Sequence, residues 1–147
     1  MLRKYTAIVF LAALFLFSAT DAYANTCAWS SGSTKNWSDT SAWSGCGGVA
    51  PTAADDVTVS GTGTLTVDGT SGSPSLARSV DFTGFTGTFT MGATASLKVG
   101  TSSTGIFKLV SGMTYAPNSA ATIEFVSTTG TNNVTSGSKT LPNLIFN

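Results

Sequence analysis

Three tryptophans lie close together near the start of the chain, and no tryptophan follows them. Trp29, Trp37 and Trp43 fall within 15 positions, with Asn36 and Asp39 between them. Indole rings can bury the apolar face of a sugar ring while neighbouring amide and carboxylate groups bond its hydroxyls. The same rings can instead close the open end of a repeat fold, which requires a terminal cap. We favour the cap and keep the five residues as a candidate carbohydrate contact.

The acidic residues suggest two other kinds of chemistry. Asp55 and Asp56 could ligate Ca²⁺, but this ion takes about six to eight oxygen ligands and no glycine-containing acidic loop surrounds the pair. We therefore expect the pair to hold a turn and to bind no metal. Asp81 and Glu124 could act as a glycosidase pair, yet each lies between two apolar residues, as Lys98 does. We predict that these three form a charge ladder on one outward face and that the chain is not an enzyme.

The composition excludes further classes of function. The chain has no His, so Ser-His-Asp and Cys-His nucleophile systems and His-containing zinc sites are absent. Seven basic residues balance seven acidic ones, whereas nucleic-acid binding needs excess Lys and Arg to neutralise phosphates. Ser, Thr and Gly supply 61 of 147 residues, and 41% of residues are hydrophobic, which favours a folded all-β chain. We expect no cofactor and no nucleic-acid partner.

Residues 1–24 have the pattern of a secretory signal peptide. The basic pair Arg3-Lys4 precedes an apolar run from Ala7 to Phe17, and Ala22-Tyr23-Ala24 supplies a small-x-small cleavage site. The apolar run is roughly a dozen residues long, against the about 20 that a membrane-spanning helix needs. We expect cleavage before Asn25, secretion or display at the cell surface, and no membrane span once the signal is removed.

From Asp55 onward the chain consists of short runs in which apolar and polar residues alternate, separated by Gly, Ser and Thr. This period of two predicts half-buried β-strands. Apolar residues at sustained helical spacing do not occur after the signal, so we predict no helix there. The clearest runs are Val57–Val59, Leu65–Val67, Val80–Phe82, Phe89–Met91, Leu97–Val99, Phe107–Leu109 and Ile123–Phe125.

The spacing of these runs favours a solenoid. Their first residues form two columns whose steps lengthen and shorten together along the chain. This is expected when each turn adds one strand to each of two parallel stacks. We therefore predict a right-handed parallel β-helix over residues 55–147, with a β-sandwich as the alternative. The columns are Val57, Val80, Leu97, Ile123 and Leu144, and Leu65, Phe89, Phe107 and Val134.

Two cysteines, Cys27 and Cys46, flank the tryptophans. Export permits a disulfide, and an exported protein rarely keeps an even pair reduced. We predict that the two cysteines bond and tie residues 25–54 into an N-terminal cap. One tryptophan of the cap, Trp37 or Trp43, is expected to pack over the apolar end of the first turn.

The segment Asn36–Trp43, followed by Val49–Val59, resembles the opening of secreted bacterial parallel β-helix surface proteins. It is also similar to the start of the extracellular β-strand domain named for its eight glycines. Both tend to begin with a Trp-rich segment, a proline, an acidic pair and the first turn. The run Ser79–Phe89 is similar to the repeats of adhesin-type surface proteins. The resemblance implies an extracellular role in adhesion or polysaccharide contact and carries over no catalytic residue.

We therefore interpret the chain as a structural, adhesin-like module of a secreted or cell-surface protein, with polysaccharide or another surface protein as its partner. The alternative is the non-catalytic N-terminal part of a polysaccharide-binding or polysaccharide-degrading β-helix enzyme. Leu144-Ile145-Phe146 begins a last turn that no second strand completes before Asn147. Because nothing covers that apolar end, we expect either a truncated array or end-to-end association of copies.

Overall fold

The alternating runs form short strands that stack in parallel, as seen in a computed structural model that describes residues 24–100, 106–127 and 130–147. The stacked coils make a β-solenoid of about four turns. This confirms the predicted parallel solenoid against the alternative sandwich, and all seven runs overlap a strand. The predicted signal peptide lies outside the described residues except for Ala24, so it stays a prediction.

Fourteen strands and one 3-10 turn, Thr40–Ala42, lie in the described residues. The short turn departs from the expectation of no helix, and it begins where the Asp39 carboxylate accepts a hydrogen bond from the Ser41 N–H at 2.8 Å. Within the same residues, no helix is long and apolar enough to cross a membrane. The strands are β1 Thr26–Trp29, β2 Thr34–Asn36, β3 Trp43–Ser44, β4 Asp56–Thr58, β5 Thr64–Val67, β6 Ser75–Ala77, β7 Ser79–Asp81, β8 Thr88–Met91, β9 Ser96–Val99, β10 Ile106–Lys108, β11 Thr114–Pro117, β12 Thr122–Phe125, β13 Asn133–Thr135 and β14 Asn143–Phe146.

These strands form three sheets. Sheet 1 has the order β13-β10-β7-β4-β1-β3, sheet 2 the order β11-β8-β5-β2, and sheet 3 the order β14-β12-β9-β6. All neighbours pair in parallel except β1 and β3, which pair antiparallel. A full turn, here called a rung, therefore contributes one strand to each sheet, as β4, β5 and β6 do.

Three sheets correct the two predicted columns. Val57 and Val80 are followed in sheet 1 by Phe107, whereas Leu97 and Ile123 belong to sheet 3. The error arose because two strands carry weak apolar signals. In β6 the inward residues are the small Ser75 and Ala77, and in β11 they are Tyr115 and Pro117. The true columns are Cys27, Val57, Val80, Phe107 and Val134; Lys35, Leu65, Phe89 and Tyr115; and Ser75, Leu97, Ile123 and Leu144.

The inward residues of the columns build the core. Leu65, Phe89, Phe107, Leu97 and Ile123 are fully buried. Each such side chain contributes about 1.5–3 kcal/mol through burial. Because the apolar residues alternate with polar ones, the polar residues of the same strands lie on the outer surface of the solenoid.

Glycines form one corner of the solenoid, between sheets 1 and 2. The Thr88 N–H donates to the carbonyl of Gly63 at 2.8 Å, and the Thr114 N–H donates to that of Gly87 at 2.9 Å. A Cβ on Gly87 would lie 2.2 Å from the Gly63 carbonyl oxygen, and Gly63 also has a positive φ of 109°. The second and third rungs therefore approach too closely at Gly63 and Gly87 for a residue with a Cβ.

Residues 25–54 are more than a cap. Strand β1 pairs with β4, and β2 pairs with β5, so this segment also provides the first rung in two sheets. Strand β3 then turns back against β1 and ends sheet 1 with an antiparallel edge. Residues 25–54 therefore both form the first rung and close the N-terminal end of the solenoid.

Candidate functional site

The predicted disulfide is present at the N-terminal end. Cys27 and Cys46 are bonded, with their Cα atoms 4.9 Å apart, and both are buried. Cys27 lies in β1 beside Val57 of β4, so the bond ties the first rung to the loop that precedes Pro51. The prediction that this bond secures the Trp-rich segment is confirmed.

The three tryptophans close the N-terminal end instead of forming an exposed platform. Trp29, Trp37 and Trp43 are 6%, 1% and 7% exposed. The Trp43 ring lies edge-on against the other two, with centroid distances of 5.8 Å to Trp29 and 5.0 Å to Trp37. The candidate role of these rings as a flat stacking surface for sugars is therefore wrong, because no indole face is open to solvent. Asn36 is exposed and Asp39 half-exposed, but they have no open ring beside them.

One indole N–H of the cluster has no partner among the described residues. The Trp29 Nε1–H donates to the carbonyl of Thr62 at 3.1 Å, and the Trp43 Nε1–H donates to the carbonyl of Trp37 at 2.8 Å. The Trp37 Nε1–H is buried and unbonded within that part of the chain. Most buried polar atoms are bonded to protein or to ordered water, and Trp37 differs in this respect from Trp29 and Trp43.

The predicted charge ladder is correct for two residues and wrong for the third. Lys98 and Glu124 are partners on β9 and β12, with Nζ and Oε2 2.9 Å apart. The hydrogen bond from Lys98 lowers the pKa of Glu124 despite some desolvation. Asp81 lies in sheet 1, where it pairs with Lys108 at 3.8 Å. Because Asp81 belongs to sheet 1 and Glu124 to sheet 3, the two carboxyl groups do not face each other as a glycosidase pair.

A carboxylate–guanidinium pair joins the second and third rungs. Asp56 in β4 accepts hydrogen bonds from Nε and Nη2 of Arg78, the former at 2.9 Å, and from the Ser79 hydroxyl. The bonds from Arg78 hold the pKa of Asp56 below its ordinary value against desolvation. Asp56 is thus engaged with the next rung and not with its neighbour Asp55.

Asp55 holds the turn that leads into β4, as predicted for this acidic pair. Its carboxylate is 2% exposed. It accepts hydrogen bonds from the Thr52 N–H at 2.8 Å, the Thr52 hydroxyl at 2.7 Å and the Asn25 N–H at 3.0 Å. Burial opposes ionisation, but these bonds outweigh it and lower the pKa of Asp55. Over the described residues, no group of three or more acidic or cysteine side chains could hold a metal ion.

A cleft of about 310 Å³ opens beside Trp37 at the free edge of sheet 3. Strand β6 forms that edge, because none of the described strands of the first rung lies in sheet 3. Asp68 lines the cleft, and its carboxylate accepts hydrogen bonds from the N–H of Ser38, at 3.0 Å, and from the Ser38 hydroxyl. Sequence reasoning missed this contact, since 30 residues separate the partners and only the rung length brings them together. Apolar surface comes from Leu76 and Pro74, which are partly buried, and hydroxyls come from Thr70 and Ser73.

The opposite end of the solenoid exposes apolar residues. Strands β13, β11 and β14 are the outer strands of their sheets. Ile145 and Phe146 are 42% and 63% exposed, and the Phe146 ring stacks on Phe125 at 5.1 Å. A second cavity, of about 570 Å³, lies between Tyr115 and the segment that ends at Asn143. Within the described residues the last rung has β13 in sheet 1, β14 in sheet 3 and no strand in sheet 2. The last rung is thus incomplete, but Leu144–Phe146 ends it, whereas the sequence predicted that this segment begins it.

Comparisons of the chain with protein-family models, with curated proteins and with solved structures returned no match.

Proposed function

We propose that the chain is a structural, adhesin-like β-solenoid module of a secreted or cell-surface protein, without a catalytic role. The observation that carries the proposal is what the charged side chains of the described residues contact. Each of the eleven charged residues in the described part of the chain makes a contact that joins two rungs or holds a turn. They are Lys35, Asp39, Asp55, Asp56, Asp68, Arg78, Asp81, Lys98, Lys108, Glu124 and Lys139.

Such contacts suit a scaffold better than a reaction centre. Exposed ion pairs contribute little energy each, about 0–1 kcal/mol. They nevertheless oppose slippage, because a shift of register would separate Lys98 from Glu124 and Arg78 from Asp56. A general acid needs a carboxyl group whose pKa is raised towards neutrality. The shifts found here for Asp55, Asp56 and Glu124 have the opposite direction.

Two features support export. The signal pattern of residues 1–24 ends directly before the first rung, and the disulfide suits an oxidising compartment. Under this proposal, the disulfide-bonded N-terminal end protects the stacked rungs outside the cell. A surface polysaccharide or a second surface protein is the partner.

The proposal is tested by expressing the full chain with its own leader in a bacterial host. We expect protein outside the cytoplasmic membrane that begins at Asn25 by mass spectrometry. Incubated with polysaccharides, it should release no reducing sugar. Sugar release that is lost in Asp68→Asn, Asp81→Asn or Glu124→Gln would overturn the non-catalytic assignment, because those variants keep the side-chain shape.

The cleft beside Trp37 favours a second candidate function, contact with a neutral sugar. Leu76 and Pro74, which are only partly buried, present apolar surface, while Asp68 and Ser73 supply hydroxyl-bonding groups. Among the described residues around the cleft, Asp68 alone is charged, which disfavours anionic ligands. The edge strand β6 adds backbone donors and acceptors that no strand of the first rung covers.

Indole N–H signals of ¹⁵N-labelled protein test this second function. Titration with the methyl glycosides of glucose, galactose and xylose should shift the Trp37 signal saturably and leave the Trp29 signal unchanged, because the Trp29 N–H is already bonded away from the cleft. Asp68→Asn should weaken binding about tenfold, since a hydrogen bond to a charged group is lost, whereas Asp39→Asn outside the cleft should not. A Trp37 signal unmoved by all three sugars would contradict sugar binding at this cleft.

A further inference from the structure

The backbone of Asn25, which directly precedes β1, contacts the buried carboxylate of Asp55. The backbone nitrogen of Asn25 lies 3.0 Å from Oδ1 of Asp55, and the Asn25 carbonyl accepts the Asp56 N–H at 2.9 Å. Asn25 is exposed, whereas Asp55 is 2% exposed. The nitrogen of the residue that follows the predicted cleavage site is therefore held directly against a buried anion.

We propose that cleavage between Ala24 and Asn25 turns this hydrogen bond into an ion pair that stabilises the mature chain. The inference rests on the export proposed above. A leader peptidase breaks the C–N bond with one water, which gives its hydroxyl to the Ala24 carbonyl and a hydrogen to the Asn25 nitrogen. The new carboxyl group then loses a proton and the new amine takes one up, so Asn25 carries an α-ammonium group.

The surroundings of Asp55 suit such a partner. Among the ion pairs of the described residues, none includes Asp55. The nearest charged groups are Asp56 and Arg78, which bond each other. Thr52 supplies only neutral donors to Asp55. The ammonium nitrogen would be the same Asn25 nitrogen that already donates to Oδ1, so it needs no further acceptor position on the carboxylate.

The ion pair links export to stability. A charge-assisted hydrogen bond is roughly twice as strong as a neutral one. With the leader attached, Asn25 offers Asp55 only neutral donors, its backbone N–H and its side-chain amide. The precursor therefore has the weaker first rung, and removal of the leader strengthens the place where β1 joins β4.

Three chains that differ only at the amino end test the ion pair. One begins with the free amine of Asn25, one carries an acetyl group on it, and one begins at Ala24, which moves the ammonium one residue away. With the disulfide formed, the free-amine chain should show a folding constant about fivefold to tenfold above the other two in urea at neutral pH. The difference should disappear in Asp55→Asn.

A second readout keeps the test decisive if Asp55→Asn does not fold. In the unaltered mature chain the pKa of the α-amino group should lie above its ordinary range of about 7.7–8.0. The added stability should then be complete below that range and be lost as the pH rises through the raised pKa. Asp56 and Arg78 keep their charges over this interval. Equal stability of the three chains together with an ordinary α-amino pKa would overturn the inference.

Failure of the ion pair and failure of the export proposal are distinguishable. Mass spectrometry of the exported protein locates the cleavage site without regard to stability. If the exported chain begins elsewhere, the proposed cleavage is wrong, while the three defined chains still decide whether the ammonium of Asn25 pairs with Asp55. If cleavage occurs before Asn25 but the chains are equally stable, only the ion pair is wrong.

Discussion

Lys98 and Glu124 occupy the same position in two successive rungs, with Nζ and Oε2 2.9 Å apart. Their strands have the same pattern of alternating apolar and polar residues, Ser96–Val99 and Thr122–Phe125, and the charged residue is third in each. An ion pair that is partly shielded from solvent contributes more to stability than a fully exposed one. This pair also forms only when the two strands are in the correct register.

A double-mutant cycle should detect this pair. Lys98→Ala and Glu124→Ala are expected to show a coupling free energy of about 0.5–1 kcal/mol in urea unfolding. The matched control is Lys108 and Asp81, which are 3.8 Å apart and both 40% exposed; their coupling should be close to zero. Equal coupling free energies in the two cycles would contradict the claim that the shorter and less exposed ion pair contributes more to stability.

Much of the fold was predictable, because seven runs showed clear alternation and each overlaps a strand. The number of sheets was not. The inward residues of β6 are Ser75 and Ala77, whose small side chains leave no apolar signal, so a three-strand rung resembled a two-strand one. As a result Asp81 was assigned to the column of Lys98 and Glu124.

The N-terminal site was predictable only in part. The disulfide followed from the predicted export and from a cysteine count of two. The tryptophans suit both a cap, which the need for a terminal cap favours, and a sugar platform. Burial distinguishes these roles, and burial depends on how β3 folds against β1. The contact between Ser38 and Asp68 depends on the length of the first rung, which has no sequence signature.

Stability should fall in acid. Hydrogen bonds lower the pKa values of Asp55 and Asp56 from an ordinary value of 3.8, and that of Glu124 from 4.5. Carboxylates with lowered folded-state pKa values contribute stability that is fully present above the ordinary values and is lost as the pH falls through the lowered ones. Urea midpoints measured between pH 7 and pH 2 should therefore decline below about pH 4.5. A midpoint that rises over this interval would be inconsistent with these hydrogen bonds.

Gly87→Ala should destabilise the solenoid. The new Cβ would lie 2.2 Å from the Gly63 carbonyl oxygen, so two rungs must separate at the corner. We expect a loss of about 2 kcal/mol or more in urea unfolding, as for other strained sites. Gly92→Ala is the control, since nothing lies within 4 Å of its Cβ position. It should change stability by less than about 0.5 kcal/mol, and a similar loss in both variants would refute the corner argument.

Opening the disulfide should loosen the N-terminal end. Cys27→Ser with Cys46→Ser is expected to lower the free energy of unfolding by about 2–4 kcal/mol. Trp29, Trp37 and Trp43 should become more exposed, which a red shift of tryptophan fluorescence measures. Reductant should reproduce the loss in the unaltered chain and have no effect on the double variant. Unchanged stability on reduction would show that the tryptophans close this end without the bond.

Carboxyl titration by ¹³C NMR tests the central claim most directly, namely that the acidic residues hold rungs and turns together and do not perform catalysis. On this account Asp39, Asp55, Asp56 and Glu124 titrate below their ordinary pKa values, because each accepts hydrogen bonds in the folded chain. A carboxyl group anywhere from Asn25 onward that titrates at about pH 6–7, the range of a catalytic general acid, would contradict it.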